Sequence, residues 1–236
     1  MESSGYTTLS RQVGLLRELQ VIANNIANLS TSGYRAEGIL FTEFLSPLPQ
    51  NGGSLSMAAA RGRHMVDLQG SMTQTGNPFD LAIEGDGFFM VETPDGSRLT
   101  RAGAFTQDAQ GRLVTHFGHP VLSDGGGPIG LRPGAEISVA PDGTVSAAGQ
   151  PVARLAVVTP ANPTQMTRSG DTLFDPRGET HPATATVRQG MLEDSNVDPV
   201  AQVARMIEVQ RSYELGQSFA DREDDRLRTM LRTLGK

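Results

Sequence analysis

The sequence predicts an α+β protein, in which long N- and C-terminal helices pair as a coiled coil and flank an inserted antiparallel β-rich domain. Residues 4–29 contain no proline and carry apolar side chains at helical spacing, and residues 200–234 repeat this pattern. Between them, short apolar runs alternate with turns rich in glycine, proline and aspartate. The predicted divisions are an N-terminal helix at 1–34, a long irregular connection at 35–78, a β-rich domain at 79–188 and a C-terminal helix at 189–236.

Composition narrows the classes of function. The 236 residues include 20 basic and 26 acidic side chains, for a net charge of −6, so nucleic acid is not an expected partner. Cysteine is absent, which removes disulfides and thiolate chemistry. No apolar run approaches the roughly 18 residues of a membrane span, and the N-terminus has no pattern of a cleaved signal peptide. We therefore expect neither membrane insertion nor a cleaved leader.

The N-terminal helix is apolar over more of its circumference than one neighbour can cover. Its apolar residues span an arc of about 200°, whereas a helix lying on a single core needs only about 100°. One edge of the arc has the three- and four-residue intervals of a coiled-coil seam. That seam consists of Leu15, Leu19, Ile22, Ile26 and Leu29. The pattern predicts one partner helix and further neighbours.

The C-terminal helix is predicted to start at Asp198-Pro199, where aspartate can cap the free amides and proline fits the first turn. Its apolar positions follow a 3.5-residue repeat that Gly216 and Glu223 interrupt. The repeat comprises Met206, Val209, Tyr213, Ala220, Leu227, Met230 and Leu234. This helix is therefore expected to pack against another helix.

Strand signals fill the middle of the chain. Phe79, Leu81 and Ile83 alternate with polar residues, and the apolar run 88–91 leads into a turn at 93–96. Further short apolar runs follow at a spacing of roughly 8 to 12 residues, which is typical of an antiparallel sandwich or barrel.

Signals for cofactor or metal chemistry are weak. His116 and His119 have neither the helical spacing nor the glutamate of a zinc-protease motif. Gly125, Gly127 and Gly130 match a dinucleotide fingerprint only formally, because no helix opens after them. We predict no metal and no cofactor.

Two carboxylates provide the basis for an enzyme alternative. Glu84 and Asp86 flank Gly85, and a glycoside hydrolase needs two acids facing each other across a cleft. A spacing of two residues instead favours a surface turn. The glycan hydrolase remains an alternative from a different class.

The segment Ala23–Asn28 contains three asparagines near the end of the first helix. Asparagine is a poor residue for a helix interior, because its amide competes for backbone groups. The pattern indicates either a helix exit or side-chain hydrogen bonds at a packed helix interface, with Ala23 and Ala27 permitting close approach.

Three separated segments resemble the bacterial flagellar rod and hook proteins. The first is residues 23–35, which read ANNIANLSTSGYR. The second comprises 80–89, 99–105 and 111–115, which resemble the β domain of the longer rod proteins. The third is 189–197 with 206–207 and 210–214. The chain length and the stretch 126–129 favour the proximal-rod members over the distal-rod members.

The resemblance implies a structural axial subunit of the basal-body rod, without catalysis, that assembles helically and transmits torque to the hook. Implied partners are copies of itself, other proximal and distal rod subunits and the type III export apparatus. The implied location is the periplasmic rod, reached without a cleaved signal peptide. Together with the two helix patterns, the resemblance predicts an assembly interface of Leu15, Leu19, Ile22, Ala23, Asn24, Asn25, Ile26, Ala27, Asn28, Leu29, Met206, Ile207, Val209, Gln210, Tyr213 and Leu227.

Overall fold

The computed structural model describes residues 2–47, 54–132, 134–170 and 172–234. These residues form two compact units, each built from separate stretches of the chain. The helical unit comprises the described residues of Met1–Ala27, Ala36–Val66 and Asp198–Lys236. The β unit comprises those of Asn28–Arg35 and Asp67–Val197. The predicted α+β class, with one long helix near each end of the chain, is confirmed.

The helical unit contains two long helices, α1 (Glu2–Ala27) and α2 (Pro199–Leu234). The Asp198 carboxylate accepts hydrogen bonds from the backbone N–H groups of Val200 and Ala201, at 2.9 and 3.1 Å, so the predicted N-cap is confirmed. Neither described helix is long and apolar enough to cross a membrane.

The helical unit also contains a long antiparallel strand pair, β1 (Glu37–Pro47) and β2 (Ser54–Met65). The sequence predicts an irregular connection here, because residues 46–76 show little alternation. The structure instead pairs the strands along their whole length, with one register shift between Leu40 and Phe41. Both strands also contact α1. Pairing and packing outside the local pattern therefore decide this segment.

The β unit is built from short strands with antiparallel pairing throughout its described ladders. Its strands are β3 (Met72–Gln74), β4 (Leu81–Glu84), β5 (Phe88–Thr93), β6 (Gly96–Thr100), β7 (Phe105–Gln107), β8 (Leu113–Thr115), β9 (Ile137–Val139), β10 (Thr144–Ala147), β11 (Gln150–Arg154), β12 (Val157–Pro160), β13 (Thr167–Arg168), β14 (Leu173–Asp175), β15 (Thr180–Pro182), β16 (Thr186–Gln189) and β17 (Met191–Glu193). A 3₁₀ turn spans Pro163–Gln165.

The largest sheet of the β unit has six strands in the order β13-β14-β6-β5-β12-β15. A three-stranded sheet has the order β11-β10-β9, and three further pairs are β16-β4, β17-β3 and β7-β8. One apolar core joins them: Phe89, Val91 and Leu99 are fully buried, and the rings of Phe89 and Phe105 meet edge to face at 5.2 Å. The predicted strands at 81–83 and 88–91 supply much of this core.

Segments from both flanks of the predicted β domain are built into the β unit. The Gly33 N–H donates to the Glu193 carbonyl at 2.7 Å, and the Asn196 N–H donates to the Tyr34 carbonyl at 3.3 Å. The sequence predicts a β-rich domain of 79–188 and assigns residues 28–34 to the N-terminal helix. The structure places residues 28–35 and 189–197 with the β unit, because long-range hydrogen bonds rather than local periodicity hold them there.

Candidate assembly interface

The two long helices pack against each other in antiparallel directions within the helical unit. The Asn25 amide donates to the side chain of Gln202 at 3.3 Å, and further along Glu18 pairs with Arg205. The Glu18 carboxylate accepts from Arg205 Nε at 2.7 Å and from Nη2 at 2.6 Å. The hydrogen bond to Glu18 raises the pKa of the Arg205 guanidinium. The Glu18–Arg205 pair joins α1 to α2 and therefore helps to set the register of the two helices.

The face of α1 that is buried lies beside the predicted seam. Its buried residues are Gly14, Glu18, Val21, Ile22 and Asn25. Of the predicted seam residues only Ile22 is buried, and the other four are half-buried. Consecutive side chains of an α-helix point about 100° apart. Residues one position away from the predicted seam therefore lie on a different face of the helix. Periodicity alone could not tell these neighbouring faces apart.

A second stripe of α1 is exposed, and we call it the outer seam. It consists of Leu9, Val13, Leu16, Gln20, Ala23 and Ala27, which follow one another at alternating intervals of four and three residues. Leu9 is 58% exposed, Val13 42% and Leu16 43%. Such a spacing is that of a helix-packing seam, and contiguous exposed apolar side chains of this kind mark interaction sites.

The residues predicted as interface residues fall into three groups. Ile22, Asn25 and Val209 are buried within the chain. Leu15, Leu19, Ile26, Asn28, Leu29, Met206 and Tyr213 are half-buried. Ala23, Asn24, Ala27, Ile207 and Gln210 are exposed, and the Leu227 side chain lies outside the described residues. Leu9, Val13 and Leu16 of the outer seam are absent from that predicted set, although they belong to the 200° arc of the sequence pattern.

Asn25 forms a two-way bridge between α1 and the first residue of β1. Its Nδ2 donates to the Glu37 carbonyl at 2.8 Å, and its Oδ1 accepts from the Glu37 N–H at 3.0 Å. The side chain is 1% exposed. One asparagine of the predicted cluster therefore makes side-chain hydrogen bonds at a packed interface, whereas Asn24 beside it is exposed.

We expect Asn25→Ala to lower the free energy of unfolding by about 2–4 kcal/mol, because it leaves the buried N–H and carbonyl of Glu37 without their partner. Asn24→Ala, at the exposed neighbouring position, is the matched control and should lower it by clearly less, because exposed groups that lose a partner can bond to water. Urea titration of both variants measures the difference, and equal losses would contradict this role of Asn25.

Gly33 follows the first helix and lies against the backbone of the β unit. It adopts φ = +69°, and a Cβ built there would lie 2.2 Å from the Ala102 nitrogen. Only glycine satisfies both the left-handed conformation and this close approach. The next two side chains, Tyr34 and Arg35, are each 1% exposed. The segment at the helix exit is therefore a buried part of the β unit.

A buried triad of charged residues holds three chain segments together in the β unit. Arg35 Nη2 lies 3.0 Å from Glu193 Oε1, and Arg101 Nη1 lies 3.1 Å from Glu193 Oε2. All three side chains are at most 2% exposed. Burial lowers the pKa of the Arg101 guanidinium, and Glu193 opposes that effect. Two cations sharing one carboxylate make Glu193 the central group of the triad.

Aromatic rings and one more arginine surround this triad. The Arg168 guanidinium lies 4.4 Å from the centre of the Tyr34 ring, and it donates to the Arg35 carbonyl at 2.7 Å. Arg101 stacks over Phe88 at 5.2 Å. Cation–π contacts in a desolvated setting add to the charge pairing. The helix-exit segment is thus fixed by charge, ring stacking and backbone hydrogen bonds together.

The triad could not be paired from the sequence, although a signal for it exists. Arg35, Arg101 and Glu193 each lie in a different one of the three segments that carry the resemblance. The second and third segments also carry other charged residues, so charge alone does not single out these three. Only the tertiary structure shows that these residues meet, because 158 positions separate the first from the last in the numbering.

The carboxylates of the enzyme alternative do not form a cleft pair. Glu84 is half exposed and accepts from Arg188 Nη2 at 2.7 Å. Asp86 is exposed in the loop between β4 and β5. Among the described ranges, no group of three or more His, Asp or Glu side chains is arranged to hold a metal ion. In the described part of the chain, the most buried cluster of charged side chains is therefore the triad of Arg35, Arg101 and Glu193, and its role is structural.

Three family models match the chain in order. Residues 6–35 match the model described as flagella basal body rod protein. Residues 82–147 match the flagellar hook protein FlgE/F/G D1 domain. Residues 188–233 match the C-terminal model of flagellar basal body rod FlgEFG proteins. The first and third matches include the outer seam and most of α2, and together they include both Arg35 and Glu193.

The chain has a long helix near each end, a β unit between them in sequence and an exposed packing seam on α1. These features define an assembly subunit. The flagellar basal-body rod protein FlgF of Caulobacter vibrioides is 40% identical over all of this chain and 99% of its own length. FlgF of Escherichia coli is 34% identical over 95% of each chain, and FlgG of Bacillus subtilis is 32% identical over 98% of each. The chain belongs to the flagellar basal-body rod protein family and is similar to its FlgF members.

Proposed function

We propose that this chain is a structural subunit of the proximal rod, which stacks helically with its own copies and with other rod proteins to transmit torque from motor to hook. The similarity to FlgF over the full length supports this assignment. The observation that carries it is the outer seam of α1, where Leu9, Val13 and Leu16 remain 42 to 58% exposed. Fully burying an exposed side chain of this kind contributes about 1.5–3 kcal/mol, so covering the exposed half of each contributes roughly half of that.

The proposal gives α1 and α2 the role of an inner layer packed as coiled coils. The Glu18–Arg205 pair and the buried Val209 support pairing within one chain. The outer seam then faces helices of adjacent subunits. Val200, Val203 and Ile207 add exposed apolar surface on α2 for the same purpose. Contacts between unlike surfaces that do not close into a ring generate an open helical array.

The proposed role is mechanical and not catalytic. The buried triad and the Asn25 bridge would keep the helix-exit segments in one conformation under load. The partners are other rod subunits, copies of this chain and the type III export apparatus. The proposed location is the periplasmic part of the basal body.

We expect the double variant Val13→Glu/Leu16→Glu to fold but to be lost from assembled basal bodies. Both side chains are exposed, so the free energy of unfolding should change by less than about 1 kcal/mol. Charged groups in the packed seam would be desolvated without a partner, which opposes assembly. Immunoblotting of purified basal bodies from cells that make only the variant measures incorporation.

The matched control is Leu68→Glu/Val152→Glu, which places the same two charges at exposed apolar positions of the β unit. It should be incorporated at the level of the unaltered chain. Normal incorporation of the Val13→Glu/Leu16→Glu variant would overturn the proposed role of the outer seam.

A further inference from the structure

An exposed aromatic side chain and an open cavity lie at different places on the β unit. We propose that Phe117 of one copy inserts into this cavity of a neighbouring copy, so that β units also join head to tail. The inference rests on the proposed function, because it requires copies to be adjacent in the rod. It adds a contact between β units to the helix packing of the inner layer.

The aromatic side chain projects from a tightly closed turn. The Thr115 N–H donates to the His119 carbonyl at 2.9 Å, the Gly118 N–H donates to the Thr115 carbonyl at 2.9 Å, and the His119 N–H donates to Thr115 Oγ1 at 3.1 Å. Phe117 is 59% exposed at the tip, with the His116 ring edge-on at 5.8 Å. Turn tips ordinarily carry polar residues. A rigidly held exposed aromatic ring is the kind of side chain that anchors interfaces.

The cavity has a volume of about 350 Å³, and most of its lining residues are apolar or glycine. Met90, Leu155, Val157 and Ala183 are among its apolar lining residues. A concave apolar site of this size lies at the small end of the range that binds small ligands. It can therefore receive an aromatic side chain and desolvate it.

The rim of the cavity complements the polar neighbours of Phe117. Asp124, Asp142 and Arg154 are among its lining residues, and Arg154 donates through Nε to the Asp142 carbonyl at 2.9 Å. The Asp142 carboxylate accepts from the N–H and the hydroxyl of Thr144, so Asp124 is the acidic group that can accept from a partner. The imidazole N–H groups of His116 and His119 supply donors beside the aromatic ring. Apolar and polar parts of the two surfaces are thus arranged to match.

The turn and the cavity lie at opposite ends of one extended run of chain. Pro120, Val121 and Leu122 form bridges to neighbouring segments immediately after the turn, and the next two residues, Ser123 and Asp124, line the cavity. The four extended residues 120–123 span about 13 Å. Because the turn and the cavity are unlike surfaces, a contact between them is heterologous, and such contacts propagate as an open array when they do not close into a ring.

Cysteine cross-linking tests the contact, because the chain contains no cysteine. Cells making only His116→Cys/Ala183→Cys, which keep Phe117, would supply basal bodies, which are oxidised gently and run on a denaturing gel. We expect a ladder of linked multimers of this chain, because a disulfide needs Cα atoms within about 7 Å. His116→Cys/Met90→Cys, with a second cavity position, should give the same ladder. His116→Cys/Leu68→Cys is the control and should remain monomeric.

Incorporation and cross-linking report on different claims. Incorporated variants that give no ladder at either cavity position overturn the Phe117 contact while leaving the rod assignment intact. A ladder of equal yield from the Leu68 control, or a link confined within one chain, also overturns it. Failure of the unaltered chain to enter basal bodies would instead overturn the proposed function.

Discussion

Replacing Glu193 with glutamine is expected to lower the free energy of unfolding by about 3–5 kcal/mol, because it leaves two buried guanidinium groups without their shared carboxylate. Glutamine keeps the size of the side chain, so the loss reports charge and not volume. Arg35 and Arg101 both lie within 3.1 Å of that carboxylate, and neither is exposed to water that could replace it. Guanidinium chloride titration followed by circular dichroism measures the change.

The matched control is Glu84→Gln, because Glu84 also pairs with an arginine but on the surface. An exposed ion pair contributes about 0–1 kcal/mol, so the same chemical change should cost little there. A double-mutant cycle between Glu193→Gln and Arg35→Met should show losses that do not add, since the two variants remove the same pair. Equal losses at Glu193 and Glu84 would contradict the central role of the triad.

Gly33→Ala is expected to destabilise the β unit by more than about 4 kcal/mol, because it adds a steric clash to backbone strain, and losses of this size come from a few such mechanisms. The added methyl would lie 2.2 Å from the Ala102 nitrogen and 2.3 Å from the Arg101 carbonyl carbon. These neighbours are backbone atoms, which cannot move aside without disturbing the triad. The midpoint of thermal unfolding measures the loss.

Gly76→Ala separates the two causes. Gly76 has a similar φ of +73°, yet a Cβ there would meet nothing within 4 Å. Its substitution therefore costs only the left-handed conformation, about 1–2 kcal/mol. If Gly33→Ala and Gly76→Ala lower the stability equally, the close approach of Gly33 to residues 101–102 carries no energetic weight.

The helices were predictable because their signal is local. An uninterrupted run without proline, the Asp198-Pro199 start and the spacing of apolar residues are all properties of neighbouring positions. The width of the apolar arc on the first helix also indicated more than one partner. Which edge faces inward was not predictable, since Gly14 and Glu18 carry no apolar signal and yet are buried.

The strand pair β1–β2, in contrast to the helices, could not be predicted from the local sequence. Its residues include runs of small side chains and lack alternation, so nothing local distinguishes them from an irregular connection. The two strands are consecutive in the chain, and both also contact α1, which no pattern within residues 37–65 specifies. Strand formation depends more on such neighbours than helix formation does.

The sequence by itself determined the α+β class, the two long helices, the antiparallel strands between them and the family resemblance. Each depends on periodicity, capping, turn chemistry or a motif, which are readable along the chain. Only the tertiary structure decided that Arg35, Arg101 and Glu193 share one buried site and that Leu9, Val13 and Leu16 stay exposed. Burial and charge pairing depend on which distant residues meet, and no local pattern specifies that.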